Sequence, residues 1–214
     1  MTKIKTTAVA ALAVVLSFTA AAAQDSGKVI TIGSHSAGNV IPWRGATCSS
    51  MRFQCLWLKS AINTAGYVNV IEFEKTNAAI GQFSNVRVWL CHSTKAGLET
   101  TFNNNYTGKT PVQVRTGGNL NLYGSGYSDI GITPNKFNYN NSDNLLMEVR
   151  WSGDNGVDVS CWLYAPTYAG RIWSPDDEAT TGITQTNTQC IRLHINTMSG
   201  VAPTSLGRVR ALFW

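Results

Sequence analysis

The chain has 214 residues, a formal net charge of +5 and 14% charged side chains. That length supports one ordinary core, and the charged fraction lies well below the roughly 25% of an average soluble domain. The composition excludes a disordered chain, a coiled coil and a helical membrane protein. Its lysines and arginines are too few and too scattered for the clustered basic face that nucleic acid requires, so no nucleic-acid partner is expected.

The N-terminus reads as an address. Lys3 and Lys5 form a basic start, residues 6–20 are apolar or small, and Ala21, Ala22 and Ala23 form a small-residue cleavage site. Residues 1–23 are therefore expected to be a secretory signal peptide, followed by a single domain over residues 24–214. The segment holds two lysines and no acid, so the net charge falls to +3 without it. Its apolar core is shorter than the ~20 residues of a spanning helix. No transmembrane span is expected, and the expected location is extracellular or at the cell surface.

Beyond the leader, strand follows strand. Residues 28–33 (KVITIG) alternate, and residues 67–74 (YVNVIEFE) are rich in β-branched and aromatic side chains. In residues 85–91, Val86, Val88 and Leu90 fall on one face and Arg87, Trp89 and Cys91 on the other. In residues 144–151, Leu145, Met147, Val149 and Trp151 oppose Leu146, Glu148 and Arg150. Residues 157–164, 189–196 and 207–214 repeat the period. The stretch 53–62 reads either as helix or as a strand running into a loop. Turn clusters such as Asn103-Asn104-Asn105, Gly117-Gly118 and Asp154-Asn155-Gly156 separate the runs. Period-2 alternation punctuated in this way predicts an all-β fold: a two-sheet antiparallel β-sandwich of jelly-roll type.

Export makes the five cysteines, Cys48, Cys55, Cys91, Cys161 and Cys190, candidates for disulfides. No C-x-x-C pair is present, which removes zinc-ribbon and thioredoxin-like readings. Burial as small hydrophobes is the alternative, and an odd thiol could link two chains.

The segment KFNYNNSDNLLMEVRW, residues 136–151, resembles a recurrent piece of secreted bacterial β-sandwich domains of the gingipain-adhesin and cell-surface type. In those domains a Phe-x-Tyr-Asn turn leads through Asp-Asn-Leu-Leu into a strand. VITIG at 29–33, RFQCLWLKSAI at 52–62, residues 71–73 and 86–94, and ATTG at 179–182 fall in the matching order. The resemblance implies a jelly roll with a non-catalytic surface, adhesion or structural role. The cysteines lie outside that pattern.

Motifs for chemistry are sparse. No G-x-S-x-G occurs, and His35, His92 and His194 belong to no H-E-x-x-H. Tyr106-Thr107-Gly108-Lys109-Thr110 imitates the end of a phosphate-binding loop, but Asn103 stands where its first glycine belongs. Glu72 and Glu74 share a strand face, and Glu148 shares one with Arg150. A glycosidase would need two such carboxyls ~5–9.5 Å apart in a cleft. Asp154, Asn155 and Asp158 are calcium candidates, since calcium takes carboxylate, amide and carbonyl oxygens. The same residues equally suit a plain hairpin turn. Trp89 and Trp162 are the candidate ligand-binding aromatics, able to stack a sugar or anchor a protein. Trp214 ends the chain as a barrel strand would, but Arg208 and Arg210 share its face, which a lipid-facing strand does not tolerate.

These readings converge on an exported, non-catalytic structural or adhesive sandwich that associates with itself or with other cell-surface proteins. A strand near residues 24–33 is one expected joint. A carbohydrate-binding module with glycan as partner, and a secreted glycoside hydrolase, are the alternatives.

Overall fold

A computed structural model describes residues 26–197. The expected signal peptide at 1–23 and the expected strand at 207–214 lie outside the described residues. Within them, the first half runs β1 (Ser26–Ile32), β2 (Ala37–Asn39), β3 (Ser50–Trp57), β4 (Gly66–Lys75), β5 (Gly81–Phe83), β6 (Arg87–Ser93), β7 (Val112–Thr116) and β8 (Leu120–Leu122). The second half runs β9 (Gly126–Asp129), β10 (Phe137–Tyr139), β11 (Asn144–Ser152), β12 (Cys161–Tyr164), β13 (Arg171–Ser174), β14 (Ile183–Gln185), β15 (Thr188–Gln189) and β16 (Ile191–Thr197). One helical turn, α1 (Lys59–Ile62), and a 3₁₀ turn at Phe102–Tyr106 complete the elements. The ambiguous stretch 53–62 is thus a strand that ends at Trp57 and hands over to a single helical turn.

The strands form two main antiparallel sheets and a small β5–β8 pair. In the front sheet the order is β1-β16-β4, continued by β12 and β15, with β9 and β10 also pairing β4. In the back sheet the order is β14-β13-β3-β11-β6-β7. Taken without their additions, β1-β16-β4-β9 and β3-β11-β6-β7 are the two four-stranded layers of a jelly roll, in which successive strands swap sheets except at the β6–β7 pair. The long β12–β13 excursion between β11 and β16 extends each layer by further strands.

Alternation explains which face each strand buries. On β3, Met51, Phe53, Cys55 and Trp57 point inward, opposite Trp151, Val149, Met147 and Leu145 of β11. Val88 and Leu90 of β6 continue that layer. Ile71 and Phe73 of β4, Leu193 and Ile191 of β16, and Ile30 and Ile32 of β1 close the core from the front. A register shift opposite His194/Ile195 gives β4 one extra residue, so that Val68 and Ile71 both reach the core although they are three apart. The same bulge sets the phase that turns Glu72 and Glu74 outward.

β1 pairs with β16 over its whole length, from Ser26↔Thr197 to Ile32↔Ile191. The stretch expected to reach a neighbour's sheet is therefore a strand of its own front sheet. It sits at the edge, and Lys28 points to the inner side, where Nζ donates to Thr64 Oγ1 at 2.7 Å. An inward-pointing charge on an edge strand is a device against edge-to-edge pairing.

Candidate functional site

The two sheets treat their outer faces differently. Alternation predicts one wet face per sheet, yet the outer face of the back sheet is sealed. Leu56, Cys91, Leu98, Phe102, Leu146 and Ile172 form a second apolar cluster there, with Tyr106 and Tyr168 against it. The 3₁₀ turn contributes Phe102 to it and Tyr106 to its rim.

Beside that cluster lies a buried polar network centred on Glu148. Its Oε2 accepts from Arg52 Nη2 at 3.1 Å, Gln54 Nε2 at 2.6 Å and the Tyr106 hydroxyl at 2.5 Å. Its Oε1 accepts from Arg150 Nε at 2.5 Å. Burial, and then the Glu148 charge, push the Tyr106 phenol well above its ordinary range, so it stays a donor. Arg52 also donates to Ala179 O and Asn103 Oδ1, tying two covering loops to the sheet. Arg150 and Arg87 reach Glu178, and Arg87 reaches Asp177 at 2.6 Å. Glu148, a candidate acid by sequence, is thus the hub of a sealed structural network.

The outer face of the front sheet is open. Glu72 and Glu74 stand on it, with side chains 18% and 16% exposed. Glu74 Oε1 lies 2.9 Å from His35 Nε2, and Glu74 Oε2 accepts from the Tyr127 hydroxyl at 3.1 Å. Glu72 Oε2 lies 2.9 Å from His194 Nε2 and 3.7 Å from Arg192 Nη1. The Arg192 guanidinium sits 3.6 Å from the Tyr127 ring centroid, and the His35 ring stacks on Trp162 at 4.4 Å. Asp129 is directly opposite Glu72 and uses Oδ1 to accept from Gly131 N. The result is a continuous row of rings and charges: Trp162, His35, Glu74, Tyr127, Arg192, Glu72 and His194.

Cross-strand register builds this row. β4 faces β16 on one side (Glu72↔Arg192) and β9 on the other (Glu74↔Tyr127). Opposite charges and aromatic rings at such positions stabilise one another by roughly 0.2–1 kcal/mol per pair. Sequence reasoning placed Glu72 and Glu74 on one face but did not find their partners. His35 comes from the loop after β1, Tyr127 from β9, and Arg192 and His194 from β16, three segments that the fold alone brings together.

Other sequence candidates take the following places. Trp162 is half-buried in the row. Trp89 is half-buried on the back sheet, with the Arg150 and Arg87 guanidiniums 5.2 Å and 5.9 Å from its ring. Asp154 Oδ1 accepts from Gly156 N, Asn155 Oδ1 from Gln82 N, and Asp158 Oδ1 from Ala46 N. These three oxygens fasten a turn and two neighbouring loops. Among the described residues no group of three or more His, Cys, Asp or Glu is arranged to hold a metal.

The expected disulfides are a correction: all five cysteines are free and buried. Geometry explains why. Cys55 faces the main core, whereas Cys91 packs in the cluster on the opposite face of the same sheet. Cys48 precedes β3, and Cys55 lies five residues along it from Ser50, about 17 Å at strand rise. A bridge needs Cα atoms within ~7 Å. Cys161 joins the main core from β12, and Cys190, whose N–H donates to the Trp162 carbonyl at 2.9 Å, is packed against Gly33, both as free thiols. Burial pushes the Cys161 and Cys190 thiols up to about 12, with the Glu74 charge adding to the rise at Cys190. Although Cys190 lies near Glu74 and so near His35, its thiol stays protonated and is not an activated nucleophile.

No protein-family model, curated protein or solved structure matches the chain.

Proposed function

We propose that this protein is an exported, non-catalytic structural or adhesive β-sandwich that joins its partner through the outer face of the front sheet. The partner is a second copy or another cell-surface protein. One observation carries this reading: the back sheet's outer face is sealed by loops over an apolar cluster, while the front sheet presents an uncovered row of rings and paired charges. Side chains in that row hold one another in place, which lowers the entropy lost on binding. Aromatic and arginine side chains are also the types that anchor protein interfaces. The leader-like residues 1–23 and the resemblance of residues 136–151 to surface domains support the compartment and the class.

The alternatives have less behind them. Glycan stacking needs a free aromatic face, whereas the Trp89 ring lies beneath two guanidiniums and Trp162 is stacked on His35. Hydrolysis needs an acid and a base converging in a cleft. Here Glu72 and Glu74 lie side by side on open sheet, and Glu148 is sealed under loops.

The test is the size and shape of the native exported protein, by light scattering and electron microscopy. Assemblies or tight complexes on the cell surface are expected. Dispersed monomers at high concentration, with no surface partner retained, would remove the reading.

A further inference from the structure

Arg171 is a buried cation lacking an anion. It lies on β13 opposite Cys55 and is 1% exposed. Its Nε donates to Gln185 Oε1 at 2.8 Å, a neutral oxygen, and its Nη1 is buried with no hydrogen-bond partner. No carboxylate pairs with it among the described residues, and burial lowers its pKa to about 10. The contrast with two other buried cations is direct. Arg52 has Glu148, and Lys75 donates to two backbone carbonyls, Ala79 O and Leu122 O. An unpaired buried charge is among the costliest arrangements in a folded protein.

The surroundings share the deficit. Asn187 Oδ1 and Gln189 Oε1 on the nearby β14–β15 segment are also buried and unpartnered. An open cleft of about 360 Å³ is lined by Ala169, Thr184, Gln185, Thr186 and Asn187, within the ~300–1,000 Å³ range of small-molecule sites. Gln185 belongs to both features: it lines the cleft, and its amide oxygen accepts from the Arg171 guanidinium.

We propose that this cleft binds the carboxylate of a small hydroxylated molecule, of the acidic-sugar class. The carboxylate takes over from the Gln185 amide as the partner of Arg171, because a charged oxygen outbids a neutral one for a guanidinium. Hydroxyls of the ligand pair with Thr184 and Thr186 and donate to Asn187 Oδ1. The planar fork of arginine suits a planar carboxylate, and the hydroxyl and amide lining suits a polyol. The site is separate from the front-sheet row and does not rest on its proposed role.

The test uses the full-length exported protein with glucuronate, glucose and inorganic phosphate as probes, read by thermal unfolding and calorimetry. Glucuronate is expected to raise Tm saturably and glucose to leave it unchanged, with phosphate weaker than glucuronate. Arg171→Met should weaken glucuronate binding at least tenfold. Gln185→Glu keeps Arg171 and supplies the missing anion from within, so it should raise Tm without ligand and abolish the glucuronate response. Equal glucuronate binding in Arg171→Met, phosphate binding as tightly as glucuronate, no glucuronate response in the parent protein, or a lowered Tm in Gln185→Glu would each overturn the proposal.

Discussion

Arg52 and Glu148 meet at 3.1 Å across β3 and β11, with side chains 4% and 0% exposed. Neither charge can be solvated if the other is removed. Arg52→Met leaves Glu148 with Arg150, Gln54 and Tyr106, but also frees the loops at Ala179 and Asn103. Breaking a buried pair from one side costs about 3–5 kcal/mol, and that loss is expected for Arg52→Met in urea unfolding. Tyr106→Phe removes only a hydrogen bond to a charged group and should cost about 1.5–3 kcal/mol. A double replacement, Arg52→Met with Glu148→Leu, should cost less than the sum of the two single losses. Additive losses would contradict the network.

Acid should loosen the β10–β11 connection. His92 packs against Phe137 and Tyr139, and its Nε2 accepts from the Asn140 backbone N–H at 3.2 Å. Burial, partly countered by Asp143, holds its pKa below the ordinary 6.5. The unfolded chain then binds the proton more readily than the folded one, so stability falls as pH drops from about 6.5 and levels off once the folded imidazole also titrates. His92→Gln keeps an acceptor and should flatten this part of the stability–pH curve. An unchanged curve would show that His92 is not its source.

The thiols offer a direct check. With all five cysteines free and buried, a chromogenic disulfide reagent should find almost none in the native protein and five after denaturation. Reductant should leave Tm unchanged. A denatured count of three or one, with a Tm that falls in reductant, would mean that bridges had formed.

The sequence made the sandwich legible because β4, β6, β11 and β16 carry apolar residues at period 2, whereas β3, buried on both faces, reads ambiguously. The turn residues of 136–151 were readable for a related reason. Asn140 Oδ1 accepts from Ser142 N and Asp143 N, and the Tyr139 hydroxyl donates to Asp143 O. That motif folds the crossing from the front sheet to the back sheet by local hydrogen bonds. Loops and partners were less legible. Nothing local in Arg150 or Glu148 shows that a loop from the 3₁₀ turn will cover them and turn a wet face into a second core. Nor does spacing reveal that His35 will reach Glu74 across 39 positions, or that Arg171 will find no anion. The cysteines misled because an oxidising compartment favours bridges in general, whereas bridging requires two Cβ vectors to converge, and strand phase sends Cys55 and Cys91 to opposite faces of one sheet.

The front-sheet row is the proposed joint. Glu74→Arg, which reverses a charge beside His35 and Tyr127, should cost the fold little. A pair with one partner as exposed as His35 contributes about 0–1 kcal/mol, so Tm should move by only a few degrees. The same change should disrupt association. The most direct measurement is sedimentation of the native protein and its Glu74→Arg variant over a range of concentrations, alone and with cell-surface extract. The parent should associate and the variant should remain a folded monomer. Equal association by both would contradict the proposed joint.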